Sequence, residues 1–205
     1  MKQPKFQRRA EDRPREICGA ALEVFSEKGF AAARLDEIAR RAGVSKGTLY
    51  LYFKDKEDLF RAVVRDTVAP NIDTIRTLIE GADLSFADVV RMLLARFAFL
   101  TTQVRVGAVA KMVIGESRNF PELAKVWHDE VASKALGMIG ALIERAQVKG
   151  EVRAGDPRLH AFTLMGPMLM GELWRETLQP AGGAPLDLEA LAKQHAETVL
   201  AGLLK

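Results

Sequence analysis

The 205-residue sequence predicts an all-α protein of about nine helices, in which an N-terminal three-helix unit is joined to a larger helical body. Three observations predict it. Apolar residues recur at i, i+3, i+4 and i+7 almost throughout. No run alternates polar and apolar residues between turn signals, as a half-buried strand would. The composition, 48% hydrophobic and 28% charged with a net charge of +3, suits a packed globule rather than a disordered chain. The length is enough for one large domain or two small ones with a sizeable core.

The elements follow in order. Ile17, Ala20, Ala21, Val24 and Phe25 mark one face of a first helix, which Gly29 ends. Leu35, Ile38, Ala39 and Ala42 mark a short second helix, closed by Gly43. Ser45 can cap a third helix by accepting an orphan backbone N–H, and that helix turns Leu49 and Phe53 inward. Asp55 caps a long fourth helix from about Lys56 to Ile79, with Leu59, Val63, Ile72, Ile75 and Ile79 inward. Pro70 lies inside it and predicts a kink, since it lacks a donor and crowds the preceding turn. Ser85 with Asp88 opens a helix to about Thr102. Segment 104–117 begins VRV, which could be a strand, but Val106, Val109, Ala110 and Val113 fit helical spacing better. Pro121 starts a helix to about Lys149, and Gly150 breaks it. Asp156 and Pro157 open the next, to about Leu178. QPAGGAP at 179–185 is a loop, and Asp187 starts a last helix ending near Leu203.

Several function classes are set aside. With Cys18 alone, the chain has no intrachain disulfide and no cysteine-pair zinc site; beside an apolar face, Cys18 reads as a small core residue. No two of His128, His160 and His195 lie a helical turn apart, so no metal site and no cofactor is expected. There is no Gly-rich phosphate loop, Ser nucleophile elbow or HExxH, so an enzyme is not expected either. The start MKQPKFQRRAEDRPRE has no apolar stretch behind it, unlike a secretory signal. The longest uncharged run of the C-terminal half is 161–171, whereas a membrane span needs about 20 residues. These features predict a cytoplasmic protein without a membrane partner.

Charge is unevenly spread. Residues 1–56 hold 13 Lys and Arg against 8 Asp and Glu, net +5, and the remainder carries −2. A basic N-terminal quarter points to a polyanionic partner there. Within it, two short helices are joined by Ala42-Gly43-Val44-Ser45: apolar positions on both, a Gly at the tight turn, then a cap. This is helix-turn-helix grammar, in which the second helix enters the DNA major groove N-terminus first. Lys46 supplies charge, Gly47 lets the backbone approach the duplex, and Thr48 offers a hydroxyl and a methyl to base edges or phosphate. Tyr50 and Tyr52, the only tyrosines, diverge by about 200° on this helix. Basic Lys2, Lys5, Arg8 and Arg9 precede the unit and read as a tail or as an arm for the minor groove.

The stretch from Phe30 to Phe60, FAAARLDEIARRAGVSKGTLYLYFKDKEDLF, closely resembles the DNA-binding signature of the TetR/AcrR family of bacterial transcriptional regulators. Gly29-Phe30, Ile38-Ala39, Ala42-Gly43-Val44-Ser45, Gly47-Thr48-Leu49-Tyr50, Tyr52-Phe53 and Lys56-Glu57-Asp58-Leu59 carry the likeness. Further on, Phe120-Pro121-Glu122-Leu123 looks like the start of a long central helix in many members. The resemblance implies major-groove contacts from Thr48 and Tyr50 and phosphate contacts from Tyr52 and Lys56. The chain departs from the family's usual Ser or Thr cap at the second helix, where it has Ala31-Ala32-Ala33-Arg34; Arg34 becomes a candidate phosphate contact. The DNA-binding set is thus Arg34, Ser45, Lys46, Gly47, Thr48, Tyr50, Tyr52 and Lys56.

The resemblance implies two units, a DNA-binding domain at 1–55 and an effector-binding and dimerisation domain at 56–205, with helix 56–79 as the bridge. Methionines and aromatics of the second unit form the candidate effector pocket: Met92, Phe97, Met112, Trp127, Met138, Met165, Met168 and Trp174. The resemblance also places a homodimer interface on the last two helices, with Leu164, Met168, Leu188, Leu191, Val199 and Leu203 as candidate contacts. The expected partners are a palindromic double-stranded operator, a small apolar or amphipathic effector and a second copy of the chain. The expected function is a repressor released by its effector; the alternative is a relative that activates, or that acts through a protein partner.

Overall fold

The structure, a computed structural model, describes residues 12–80, 84–103 and 106–205. The basic residues Lys2, Lys5, Arg8 and Arg9, and Val104 and Arg105 of the ambiguous VRV segment, lie outside the described residues. Counting a helix that runs on through a π turn as one, the described residues form nine helices and no strand, with one isolated bridge between Val152 and Leu204.

The head comprises α1 (Arg13–Ala32), α2 (Leu35–Arg41) and α3 (Lys46–Tyr52). Next, α4 (Lys56–Val63) passes through a π turn (Val64–Val68) into α5 (Ala69–Glu80). Then come α6 (Phe86–Gln103) and α7 (Val106–Glu116). Helix α8 (Pro121–Trp127) joins α9 (Ser133–Val148) through the π turn His128–Ala132. Helix α10 (Pro157–Leu173) ends in another (Trp174–Leu178), and α11 (Leu188–Leu203) closes the chain.

The irregularity expected at Pro70 takes the form of a π turn just before it. In an unbroken α-helix the Pro70 ring would meet the carbonyl of Asp66. The turn widens instead, and the Ala69 N–H bonds the Val64 carbonyl, five residues back. Asp55 caps α4 by accepting from Asp58 N–H at 2.8 Å, and Asp58 accepts from Lys54 N–H at 3.1 Å in return.

The apolar side chains gather into two cores. The first joins α1–α4 to α7 and α8: Phe25, Phe30 and Phe60 pack ring to ring, and Val109, Val113 and Leu123 close over them. The head's core therefore runs past residue 55. The second joins α6, α9, α10 and α11.

The candidate dimer contacts require correction. Leu164, Met168, Leu188, Val199 and Leu203 are buried within the single chain, and Leu191 is half-buried against the same core. They form the faces by which α10 packs on α9 and α11, and α11 packs on α6. What α10 leaves outside is another stripe, Leu159, Phe162, Leu169 and Met170, all exposed and within about 100° of one another around the helix.

Candidate functional site

The turn Ala42-Gly43-Val44-Ser45 sets α3 against α2. Gly43 has φ +66°, the left-handed region that favours glycine. The Ser45 hydroxyl accepts from Thr48 N–H at 3.0 Å, capping α3, and lies 2.8 Å from the Thr48 hydroxyl. Leu49 and Phe53 anchor α3 in the first core. Its outward side carries Lys46, Gly47, Tyr50 and Leu51, while Tyr52 leans another way with its ring near Phe53. A side chain at Gly47 would meet only the Ser45 hydroxyl, at ordinary contact distance. Packing within the chain therefore does not require a glycine there.

Cation partners refine the expected contacts. Arg34, at the N-cap of α2, is exposed and makes no side-chain cap bond. Lys46 Nζ pairs with Asp36 on α2 at 2.7 Å, which raises the lysine's pKa and lowers the carboxylate's. Lys56 Nζ donates to the carbonyls of Phe30 at 2.7 Å, Ala31 at 3.2 Å and Ala33 at 3.2 Å, and sits over the Phe30 ring. The residue expected to hold phosphate is thus engaged at the end of α1. Leu51, absent from the expected set, is 82% exposed on the recognition helix. Helical periodicity alone does not reveal this exposure.

The same end of α1 is held from the body. Gly29 breaks the helix at φ +77°, leaving the next backbone donors without helical partners. Glu116, the last residue of α7, accepts from Phe30 N–H at 2.8 Å and Ala31 N–H at 2.6 Å. A Cβ at Gly29 would collide with that carboxylate. Segment 29–33 is therefore clamped between Lys56 on its carbonyls and Glu116 on its amides. On the outer side of α1, Arg41 binds Glu27 through two nitrogens at 2.9 and 2.6 Å and reaches Glu37 at 3.0 Å.

The body holds a partly open apolar cavity of about 120 Å³ between α5, α6, α9 and α10. Ile72, Ile75, Leu93, Phe97, Met138, Ile139 and Met165 line it, with Asn71 and Thr101 as the polar residues of its wall. Of the eight expected pocket residues, the structure brings together Phe97, Met138 and Met165. The other five are elsewhere, because helix packing assigns them to other places. Met112 and Trp127 belong to the first core, and Met92 and Met168 to the second. Trp174 donates its indole N–H to the Ala184 carbonyl at 2.9 Å, under the 179–185 loop. Most of this cavity's lining is Ile, Leu and Val, which periodicity marks only as inward.

Among the described residues no three His, Cys, Asp or Glu gather to hold a metal. No single helix among them is long and apolar enough to cross a membrane.

A helix-turn-helix head with an exposed second helix, fused to a helical body with an apolar chamber, defines a class of DNA-binding transcriptional regulators. Residues 17–63 match the model for bacterial regulatory proteins of the tetR family. Residues 88–201 match the C-terminal domain of AefR-like transcriptional repressors. The chain belongs to the TetR family of bacterial transcriptional regulators.

Among its relatives, the fatty acid metabolism regulator protein of Bacillus subtilis is 26% identical over 74% of this chain and 77% of its own. A putative TetR-family regulator from Mesorhizobium loti superposes with a TM-score of 0.74 at 27% identity, covering 97% of this chain and 100% of that one. The Bacillus subtilis regulator FadR, solved in complex with stearoyl-CoA, has the same fold, with a TM-score of 0.76 at 22% identity over 92% of this chain and 98% of its own.

Proposed function

We propose that the protein is a dimeric repressor that an effector with a long apolar part releases from its operator. The observation that carries the DNA-binding half is the outward face of α3, where Lys46, Tyr50 and Leu51 surround a glycine that the fold itself does not require. In a dimer, two such helices about 34–36 Å apart meet successive major grooves of a palindrome. Thr48 and Tyr50 read base edges, and Arg34, Lys46 and Tyr52 approach phosphates. Lys56 supports them from behind, given its three carbonyl partners.

The cavity supports the second half. Its wall is nearly all aliphatic, aromatic or thioether, so it favours an apolar chain or ring system. Relatives named for fatty acid metabolism, and the match to a repressor C-terminal domain, agree with this reading. The effector acts through its different affinities for the DNA-fitting and non-fitting arrangements of the two heads. We place the bend at the π turn before Pro70.

A gel-shift assay on the DNA upstream of the protein's own gene tests the reading. A specific shift, competed by the same duplex and not by a scrambled one, is expected. Absence of any sequence preference overturns it.

A further inference from the structure

The cavity alone is small for an effector with a long apolar part. At about 120 Å³ it is smaller than the roughly 150 Å³ void that holds one benzene ring, whereas ligand pockets span about 300–1,000 Å³. Such an effector must continue beyond it. Met138 marks a way out, since it lines both the cavity and a groove of about 400 Å³ between α5 and α9. Along α5, Ile75 lines the cavity and Ile79, one turn further on, lines the groove. Met is unbranched and flexible, so turning this one side chain joins the two spaces.

The groove differs from the cavity in charge. Arg76 and Ile79 of α5, and Lys134, Gly137, Met138 and Arg145 of α9, line it. On α9, Lys134, Met138 and Arg145 stand at i, i+4 and i+11 and so share one face. Carboxylates oppose two of the three cations: Glu130 lies 2.8 Å from Lys134, and Asp73 3.8 Å from Arg76. Arg145 is exposed and has no ion pair among the described residues. It also lines the next depression along α9 together with Lys149, where the lining carboxylate, Glu151, accepts from Phe86 N–H at 3.2 Å. Gly137 sits inside the helix, a position where glycine is unfavourable, and a Cβ there would meet nothing within 4 Å. Packing within the chain does not require that glycine, but it keeps the groove open beside Met138.

We propose that this groove is the anion subsite of the effector site: the apolar part of the effector fills the cavity past Met138, and an anionic head, a carboxylate or a phosphate ester, lies along α9 against Arg145, with Arg76 and Lys134 beside it. The guanidinium of Arg145 presents a planar fork of N–H donors that fits either group. A neutral head gains less from it, and a cationic head is repelled. The proposal rests on reading the cavity as the effector site.

Calorimetric titration of the full-length protein with decanoate, decyl phosphate, 1-decanol and decyltrimethylammonium, below their micellar concentrations, tests the two readings separately. At least one of the anions is expected to bind about tenfold or more tightly than the alcohol, with the cation weakest and the anion's advantage shrinking as salt rises. Whichever anion binds more tightly identifies the head. In Arg145→Gln, a change on the exposed face of α9, that advantage should fall about tenfold while the affinity for 1-decanol stays the same. If 1-decanol binds as tightly as both anions, or Arg145→Gln leaves the advantage intact or weakens all the ligands equally, the cavity stands and the anion subsite falls. If none of the four binds, the reading of the cavity falls with it.

Discussion

The ammonium group of Lys56 carries three N–H bonds and meets three carbonyls at the end of α1. Phosphate contact by the same group would require it to leave these partners. Lys56→Ala should therefore destabilise the head by about 1–3 kcal/mol in thermal unfolding, with little change in the salt dependence of operator binding. Lys46→Ala, which removes an exposed cation, should flatten the slope of log K against log salt by roughly one. The opposite pattern would return Lys56 to the phosphate-binding set. Lys56 was legible as a cation at a helix start, but its partners lie 23 to 26 residues back along the chain, beyond the reach of any local pattern. Cys18 is a simpler case. Burial, then the nearby Asp66 carboxylate, pushes its thiol from 9.0 up to about 12. The folded chain holds this proton more tightly than the unfolded one, so its contribution to stability is complete below about pH 9 and is lost as pH rises toward 12. The melting temperatures of wild type and Cys18→Ala should therefore converge or cross over that window, and iodoacetamide should leave the folded thiol unmodified at pH 8.

Helices were the most legible level of this molecule, because their apolar spacing, caps and stops all lie within one segment. Gly29, Gly43 and Gly150 end or break elements where expected, and each has positive φ. The π turns were not legible. A proline predicts that a helix must yield, but which turn widens depends on the neighbours packed around it. The cavity lining escaped for a related reason: an inward Ile that faces a void and one that faces a core have the same spacing. Helix α7 has a similarly non-local role. Its first residue lines the cavity and its last holds two amides of the head. Glu116→Ala should weaken operator binding, with a loss on the order of 2 kcal/mol if both charged hydrogen bonds matter to head orientation. It should also raise hydrogen exchange at Phe30 while amides of α9 keep their protection. Unaltered exchange at Phe30 would mean that the clamp is not held in solution. Pro70→Ala, by contrast, should change effector release more than operator affinity, since it removes the reason for the wide turn without touching the head. Equal losses in both, measured by fluorescence anisotropy, would count against a bend there.

At the scale of the whole molecule, the two cores share the work unequally. One ties the head to α4, α7 and α8, and the other holds the body's helices together, and the large apolar side chains left outside are mostly scattered singly over different helices. The α10 stripe of Leu159, Phe162, Leu169 and Met170 is the continuous one. It has the apolar, rotationally narrow form of a face that packs against another helix. The TetR family acts as dimers, and a two-fold partner would cover this stripe with its own copy, as an isologous interface requires. Its outer neighbour α11 turns small residues such as Ala190 and Ala201 outward, which would let a partner helix approach closely. Phe162→Glu places a charge at the centre of that contact and leaves the buried face of α10 intact, so the chain should still fold. Sedimentation is expected to give a monomer with unchanged helical circular dichroism. Operator binding should fall far more than any single head contact could explain, because two half-sites would no longer be bound by one molecule. A Phe162→Glu protein that still sediments as a dimer would move the interface away from α10.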